Sequence, residues 1–142
     1  MSGLSSFLAQ NAVKVENMKI TASKRFIDEN GAPVAWEVRC ITSAEDEELR
    51  RACTKRVRMP GRKGQYAPET DYNEYLGRLA ARCTVYPNLN DQGLQDSYHV
   101  MGAEALLKAM LTPGEYAEYL SKIQEINGFD TAFEDLVEDA KN

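Results

Sequence analysis

The chain has 142 residues, of which 43% are hydrophobic and 27% are charged, and its formal net charge is -5. This length and composition favour one domain spanning residues 1–142, which can bury enough surface to fold without a metal or a disulfide. No apolar run reaches the length of a membrane span, and the first residues lack the basic start and apolar core of a secretory signal, so we expect a cytoplasmic protein that makes no membrane contact. The three cysteines, Cys40, Cys53 and Cys83, are widely spaced, which is typical of free thiols in a reducing compartment.

Charge is divided unevenly along the chain. Residues 1–64 contain 12 Lys and Arg against 8 Asp and Glu, a net charge of +4, whereas residues 65–142 contain 5 against 14, a net charge of -9. Much of the positive charge lies in one cluster, which consists of Arg50, Arg51, Lys55, Arg56, Arg58, Arg62 and Lys63. A protein with this distribution can associate with itself or approach an oppositely charged partner.

The N-terminal part predicts a β-hairpin. We expect residues 1–14 to form a flexible leader and residues 15–41 to form two antiparallel strands, the first over about residues 15–27. Asp28-Glu29-Asn30-Gly31 is a turn signal because Asn and Gly tolerate a positive φ. After it, the hydrophobic residues Val34, Trp36, Val38 and Cys40 alternate with less hydrophobic ones, so the second strand should place Trp36 in the core.

Residues 42–142 predict the helical part. Its first helix should run from Ser43 to Val57, because Thr42 and Glu45 have capping-box spacing and Leu49, Cys53 and Val57 form an apolar stripe. A basic loop rich in Gly and Pro is expected at residues 58–69.

Further helices follow the loop. One should begin after Thr70 or Asp71, and a short turn or helix should follow Asn90 or Asp91. The next should end near Leu111, before the start signal Thr112-Pro113-Gly114-Glu115. A last amphipathic helix would carry Phe133, Leu136, Val137 and Ala140. The predicted fold is therefore α+β, an N-terminal antiparallel β-hairpin followed by a mostly helical bundle of about five helices.

The sequence gives only weak signals for a catalytic or metal-binding site. His99 is the only histidine, and we interpret it as an exposed or boundary side chain. Cys40, Cys53, Cys83 and His99 are separated by 12, 29 and 15 residues, whereas structural zinc sites usually contain ligand pairs two to four residues apart. We therefore predict neither an enzyme nor a protein that uses a cofactor or metal.

Several segments together resemble a known family. They are SKRF (23–26), CTKRV (53–57), YAPETDYNEYLGRLAARCTVYPNLND (66–91), LQDSYHVMGAEALLKAML (94–111), PGEYAEYL (113–120) and QEINGF (124–129). Their order and spacing resemble the XkdN-like tail assembly chaperones of phages and prophages. The resemblance implies a non-enzymatic protein that binds the helical tape measure protein, masks its apolar faces until tail tube protein displaces the chaperone, and is absent from the finished virion.

The residues expected to contact a partner are Arg56, Arg58, Arg62, Lys63, Tyr116 and Tyr119. The basic residues could contact an acidic protein surface, either on the tape measure protein or on a second copy through its Asp135, Glu138 and Asp139. They could also form a solvated surface, or bind nucleic acid, although the acidic balance and the few neighbouring aromatic residues argue against nucleic acid. Two other functions therefore stay open, a structural tail or baseplate component and a small nucleic-acid-binding regulator.

Overall fold

The computed structural model describes residues 3–129, which form an α+β fold. A 3-10 helix at Gly3–Phe7 precedes five strands and five α-helices in this range. In chain order they are β1 (Met18–Ile20), β2 (Trp36–Val38), α1 (Ser43–Ala52), β3 (Thr54–Arg58), β4 (Tyr66–Thr70), α2 (Tyr72–Cys83), β5 (Thr84–Tyr86), α3 (Gln92–Ser97), α4 (Ala103–Met110) and α5 (Pro113–Ile126). The last amphipathic helix that the sequence predicts lies outside the described residues.

The N-terminal antiparallel pair is confirmed, but its ladder is short. Met18 pairs with Val38 and Ile20 with Trp36, so β1 covers three residues and not the predicted 15–27. The turn forms as expected, because the Asp28 carboxylate accepts hydrogen bonds from the backbone N–H groups of Asn30 and Ala32 at 2.8 and 3.0 Å. Between Ile20 and this turn the chain leaves the ladder, since the side chains of Ser23 and Arg25 bond to α5.

A third strand, which sequence reasoning missed, completes the sheet. β5 pairs with the other edge of β2, giving the strand order β1-β2-β5. β5 has only three residues and begins directly at the end of α2, so it shows no alternation from which to predict a strand.

Helix α1 begins where predicted but ends earlier. Its capping box is present: the Thr42 hydroxyl accepts from the Glu45 N–H at 3.2 Å, and the Glu45 carboxylate accepts from the Thr42 N–H at 3.4 Å. The prediction that the helix continues to Val57 is wrong, because the helix ends at Ala52 and Val57 lies in β3. The expected basic loop at residues 58–69 is likewise replaced by the end of β3, a turn and most of β4. β-branched Thr54 and Val57 favour a strand there, and pairing with β4 outweighs the helical spacing.

The core lies between the three-stranded sheet and helices α2, α4 and α5. Leu79, Leu106 and Leu107 are fully buried at the contacts among these helices. Trp36 is 2% exposed. The centroid of its ring lies 5.3 Å from that of Tyr119 in α5 and 6.2 Å from that of Phe26. The expectation that Trp36 belongs to the core is confirmed.

One carboxylate joins the N-terminal segment to the helical part. Glu115 closes the capping box of α5, where it accepts from the Thr112 N–H at 2.9 Å. The same carboxylate accepts from the Ser23 hydroxyl at 2.5 Å and from the Arg25 guanidinium at 2.7 Å. Arg25 also donates to the Met110 carbonyl at 2.6 Å. Hydrogen bonds lower the pKa of Glu115 to about 2. The bond from Arg25 has the largest effect, and those from the Ser23 hydroxyl and the Thr112 N–H have smaller ones.

Replacing Trp36 by Ala should lower the free energy of unfolding by about 3–5 kcal/mol, because it leaves a cavity among buried side chains. Urea melts would measure the loss. The control is Tyr66→Ala on an exposed position, which should change stability by no more than about 0.5 kcal/mol. A loss below about 1 kcal/mol for Trp36→Ala would contradict a core role for this ring.

Glu115→Gln should make the protein less sensitive to acid. The folded pKa of Glu115 is lowered to about 2, so its carboxylate stabilises the fold above the unfolded pKa of about 4.3, and this contribution is lost as the pH falls towards about 2. The stability difference between wild type and Glu115→Gln should therefore be constant near neutral pH and shrink between about pH 5 and about pH 2.

Urea melts at several pH values would measure this difference. Glu118→Gln, which removes an exposed carboxylate from the same helix, is the matched control. A difference that stays constant down to about pH 2 would show that the Glu115 carboxylate does not couple protonation to folding.

Candidate partner-binding surface

Strands β3 and β4 form a hairpin that we name the basic arm, residues 54–70. Its ladder runs over five residue pairs, from Thr54 with Thr70 to Arg58 with Tyr66. The connecting turn is closed by a hydrogen bond from the Met59 N–H to the Gln65 carbonyl at 2.9 Å, and Gly61 and Gly64 supply φ angles of 75° and 78°. Within residues 3–129 the two strands pair with each other and with no further strand.

The base of the arm is held by hydrogen bonds to its neighbours along the chain. The Thr54 hydroxyl donates to the Arg50 carbonyl at 2.6 Å and lies 2.7 Å from the Thr70 hydroxyl. The Asp71 N–H donates to the carbonyl of Cys53, whose side chain is buried. Beyond this base most residues of the arm are exposed, so the hairpin depends mainly on its own ladder.

The arm concentrates positive charge that is not paired. Its five basic residues, Lys55, Arg56, Arg58, Arg62 and Lys63, are all exposed. Glu69 is its one acidic residue, so residues 54–70 have a net charge of +4. Among residues 3–129, no carboxylate lies within ion-pair distance of these five side chains.

Most arginines in the rest of the described chain are arranged differently. Five of these six have a carboxylate partner: Arg25 with Glu115, Arg39 and Arg82 with Glu45, Arg50 with Asp46, and Arg78 with Glu74 and Glu104. The sixth, Arg51, is exposed and has no ion pair among residues 3–129. An unpaired cationic surface on a projecting hairpin attracts an anionic partner, and salt weakens that attraction.

The structure brings together all four basic residues that the sequence predicts as partner contacts. Arg56 and Arg58 lie on β3, and Arg62 and Lys63 lie in the turn. They project from a strand and a turn, which corrects the expectation of a helix end followed by a loop. Arg56 and Arg58 share one face of β3 because they are two residues apart. Tyr66 lies opposite Arg58 and is 55% exposed.

Lys55 and Tyr66 were not among the predicted contact residues. Both are exposed on the arm, Lys55 on β3 and Tyr66 on β4. The sequence holds no clear signal for them, because Thr-Lys-Arg-Val-Arg (54–58) does not alternate apolar with polar residues, and the strand depends on its pairing with β4.

The two tyrosines predicted as partner contacts lie elsewhere, in and against the core. Tyr119 is 1% exposed, and its hydroxyl is 2.6 Å from the Thr84 hydroxyl. Tyr116 is half-buried, and its hydroxyl oxygen is buried without a hydrogen-bond partner among residues 3–129. The expectation that Tyr119 contacts a partner conflicts with this burial. Both residues belong to the apolar stripe of α5, and a tyrosine at such a position fills the core as readily as it lines a groove.

The candidate metal ligands do not gather into one cluster within residues 3–129. Cys53 and Cys83 are buried in the core and Cys40 is half-buried, and all three are free thiols. Burial raises the pKa of the Cys83 thiol, so it stays protonated at neutral pH. His99 is exposed, as interpreted from sequence, and has a φ of 58° at the end of α3. Among residues 3–129 no group of three His, Cys, Asp or Glu side chains could hold a metal.

Two of the concave regions on the described surface have apolar or arm residues in their lining that bear on partner binding. A groove of about 210 Å³ is lined by apolar side chains, namely Phe26, Val34, Trp36, Tyr86, Pro87, Leu94 and Met110. A cleft of about 400 Å³ separates the arm from the start of α2, and Val57 and Tyr72 contribute to its lining. None of the helices within residues 3–129 is long and apolar enough to cross a membrane.

Comparisons with known proteins agree over nearly the whole chain. Residues 4–141 match the family described as phage XkdN-like tail assembly chaperone protein. The uncharacterised protein YqbN of Bacillus subtilis (strain 168) is 36% identical over 140 residues, covering 98% of this chain and 93% of YqbN. The phage-like element PBSX protein XkdN of the same strain is 34% identical over 142 residues, with the same coverage of 98% and 93%.

A solved structure is also similar. The crystal structure of the protein YqbN superposes on this fold with a TM-score of 0.77 at 30% sequence identity, covering 91% of this chain and 98% of that one. The likeness therefore extends from sequence to three-dimensional fold.

Removing the hydroxyl of Tyr119 should lower stability, whereas removing that of Tyr116 should not. Tyr119→Phe loses the bond to Thr84 and leaves that hydroxyl with one partner fewer, so the free energy of unfolding should fall by about 1 kcal/mol. Tyr116→Phe removes a buried hydroxyl that has no described partner, so stability should stay the same or rise. Urea melts of the matched pair would test both, and an equal loss in the two variants would contradict the described hydrogen bonding.

Proposed function

The chain belongs to the family of phage XkdN-like tail assembly chaperones, and we propose on this basis that it binds the tape measure protein of its phage or prophage and promotes tail tube assembly. The match over residues 4–141 carries the proposal. The protein would act in the cytoplasm of the bacterial host, without nucleotide hydrolysis and without a cofactor.

The proposed mechanism is reversible masking. A tape measure protein is long, helical and rich in apolar surface, so it would aggregate before the tube surrounds it. The chaperone would cover part of that surface, and tail tube subunits would displace it as they polymerise. Because the chaperone leaves at this step, it would be absent from the finished virion.

We assign the first encounter to the basic arm. Its net charge of +4 is not neutralised by the described part of the protein, so it is available for an acidic segment of the tape measure protein. Exposed charges of this kind mainly raise the association rate, and screening beyond about 8 Å limits them at physiological salt. Apolar contacts would then supply most of the lasting affinity.

Co-expression with the tape measure protein tests the proposal directly. We expect the tape measure protein to remain in the soluble fraction and to co-purify with the chaperone, whereas alone it should be insoluble. Mass spectrometry of purified virions should not find the chaperone. A tape measure protein that stays insoluble and unbound would overturn the proposal, and recovery of this chain in virions would instead identify a structural tail component.

Reversing the charge of the arm tests the role of the basic residues. The triple variant Arg58→Glu, Arg62→Glu, Lys63→Glu should slow association with the tape measure protein by about tenfold or more at low salt, because steering contributes factors of about 10 to 1,000. Its melting temperature should hardly change, since these side chains are exposed and make no described ion pair. Stopped-flow binding and thermal melts would provide the two measurements.

The matched control reverses three cations outside the arm, Lys14, Lys19 and Lys24, which are also exposed. This control makes the same change in net charge but keeps the cations of the arm. It should therefore leave the association rate much closer to wild type. Equal slowing in both variants would show that net charge acts and the arm does not. Tight binding of the wild type to DNA at physiological salt would favour the nucleic-acid-binding alternative.

A further inference from the structure

The ladder of the basic arm determines which of its backbone groups face outward. Just beyond one end of the ladder, the Met59 N–H donates to the Gln65 carbonyl at 2.9 Å. Just beyond the other end, the Asp71 N–H donates to the Cys53 carbonyl at 2.9 Å. Hydrogen-bonded pairs alternate with non-hydrogen-bonded pairs in an antiparallel ladder. In the register between these two bonds, the backbone groups of residues 54, 56 and 58 therefore point away from β4.

The outer edge of β3 is open at Arg56 and Arg58. Both residues are exposed, and their outward N–H and C=O groups make no hydrogen bond among residues 3–129. Unpaired backbone groups along the edge of a sheet are a template for a further strand. The arm therefore offers a binding site made of backbone, next to the side chains that carry its charge.

The outer edge of β4 is a poorer template. Its outward residues are those that pair with the outward residues of β3, and the central one is Pro68, opposite Arg56. Proline has no N–H to donate to a further strand, and proteins use it at sheet edges to prevent pairing. We therefore expect a strand that joins the arm to pair with β3.

The two faces of β3 differ in chemistry. Arg56 and Arg58 share one face, because they are two residues apart. Val57 lies on the other face with a single cation, Lys55. Val57 is 36% exposed there and lines the cleft of about 400 Å³ together with Tyr72, which is 60% exposed. A strand beside β3 places alternate side chains against these two surfaces, so acidic residues that alternate with apolar ones match both.

We propose that the outer edge of β3 binds an acidic protein segment in extended conformation, as a third strand antiparallel to β3. Antiparallel pairing is the more stable arrangement per residue. The acidic side chains of the segment pair with Arg56 and Arg58, and its apolar side chains lie beside Val57.

Charge identifies the chemistry of the partner. The arm has a net charge of +4, and no carboxylate among residues 3–129 lies within ion-pair distance of its cations. A second arm carries the same charge, and like charges that face each other across strands are destabilising. An acidic segment instead gains both the ion pairs and the backbone hydrogen bonds.

This inference rests on the proposed function, because it specifies how the arm would recognise the tape measure protein. A helix already pairs its own backbone N–H and C=O groups, so a helical stretch cannot bond to the edge of β3. The arm would therefore select acidic connections between the helices of the tape measure protein. Backbone hydrogen bonds do not depend on side-chain identity, so such a site tolerates different sequences of suitable charge.

Backbone methylation of a model peptide tests the pairing on the unmodified protein. The probe is a fluorescein-labelled octapeptide in which Glu and Val alternate, and fluorescence anisotropy measures its binding at low salt. In the proposed strand the Glu N–H groups face Arg56 and Arg58, whereas the Val N–H groups point away from β3. N-methylation of the two central Glu residues should weaken binding about fivefold or more, because two backbone hydrogen bonds are lost. N-methylation of the two central Val residues should change it by less than about twofold.

The peptides carry identical charge, so they separate strand pairing from electrostatic attraction. An equal loss with both methylated peptides, or no loss with either, would overturn the proposal. A larger loss on methylation of Val would overturn the proposed register and orientation. Failure of the unmethylated octapeptide to bind at low salt would overturn the proposal as well.

A matched pair of variants tests the same edge from the side of the protein. Arg56→Pro and Arg56→Gln remove the same charge, but only Arg56→Pro removes the outward N–H. Arg56→Pro should bind the octapeptide about two- to tenfold more weakly than Arg56→Gln, which corresponds to one hydrogen bond. Their melting temperatures should be similar, because this N–H makes no bond within the ladder. Equal affinity would contradict the proposal, and the methylated peptides decide the question if Arg56→Pro does not fold.

The proposed function and this inference fail separately. If the methylated peptides differ as expected but the tape measure protein does not bind, the proposed function fails and the strand-binding edge stands. If the tape measure protein binds Arg56→Pro as fast and as tightly as Arg56→Gln, recognition by strand addition fails and the proposed function stands.

Discussion

The carboxylate of Glu115 is the constraint on which the arrangement of the N-terminal sheet depends. It caps α5 through Thr112 and at the same time holds Ser23 and Arg25 from the loop between β1 and β2. Arg25 extends the contact to the last carbonyl of α4. The loop is thereby fixed over the junction of two helices, and the strand that follows it places Trp36 against Tyr119. A local capping signal thus also determines how distant segments pack.

Electrostatics divide the molecule into two regions. Outside the arm, five of the six described arginines pair with carboxylates. Arg50 pairs with Asp46 of its own helix, α1, and its guanidinium lies over the ring of Tyr75 in α2. In the arm, five cations have no such partner within the described chain. Paired charges specify packing, whereas unpaired and exposed ones remain available to another segment. The arm therefore holds exposed positive charge that the described residues do not neutralise, and it contributes little to the core.

Sequence reasoning succeeded where the determinants are local. The capping boxes at Thr42 and Thr112 and the burial of Trp36 depend on residues close in sequence, and all were predicted. It failed where strand pairing is decisive: the ladder of the β3–β4 hairpin, and the addition of the distant β5 to β2, cannot be found from helical or strand spacing alone. The four basic contact residues were grouped correctly by charge, although their secondary structure was not. Their role as contacts remains a prediction, while Tyr119 shows that an amphipathic stripe does not distinguish core from groove.

The ladder of the arm has a consequence for solubility. A two-stranded sheet exposes the unpaired backbone groups of both outer edges, and each edge can add a strand from another molecule and so begin aggregation. Here any second arm that approaches carries the same high density of positive charge, so the two arms repel each other. The cations thus protect the hairpin from edge-to-edge polymerisation, and turbidity should rise when concentrated salt screens them.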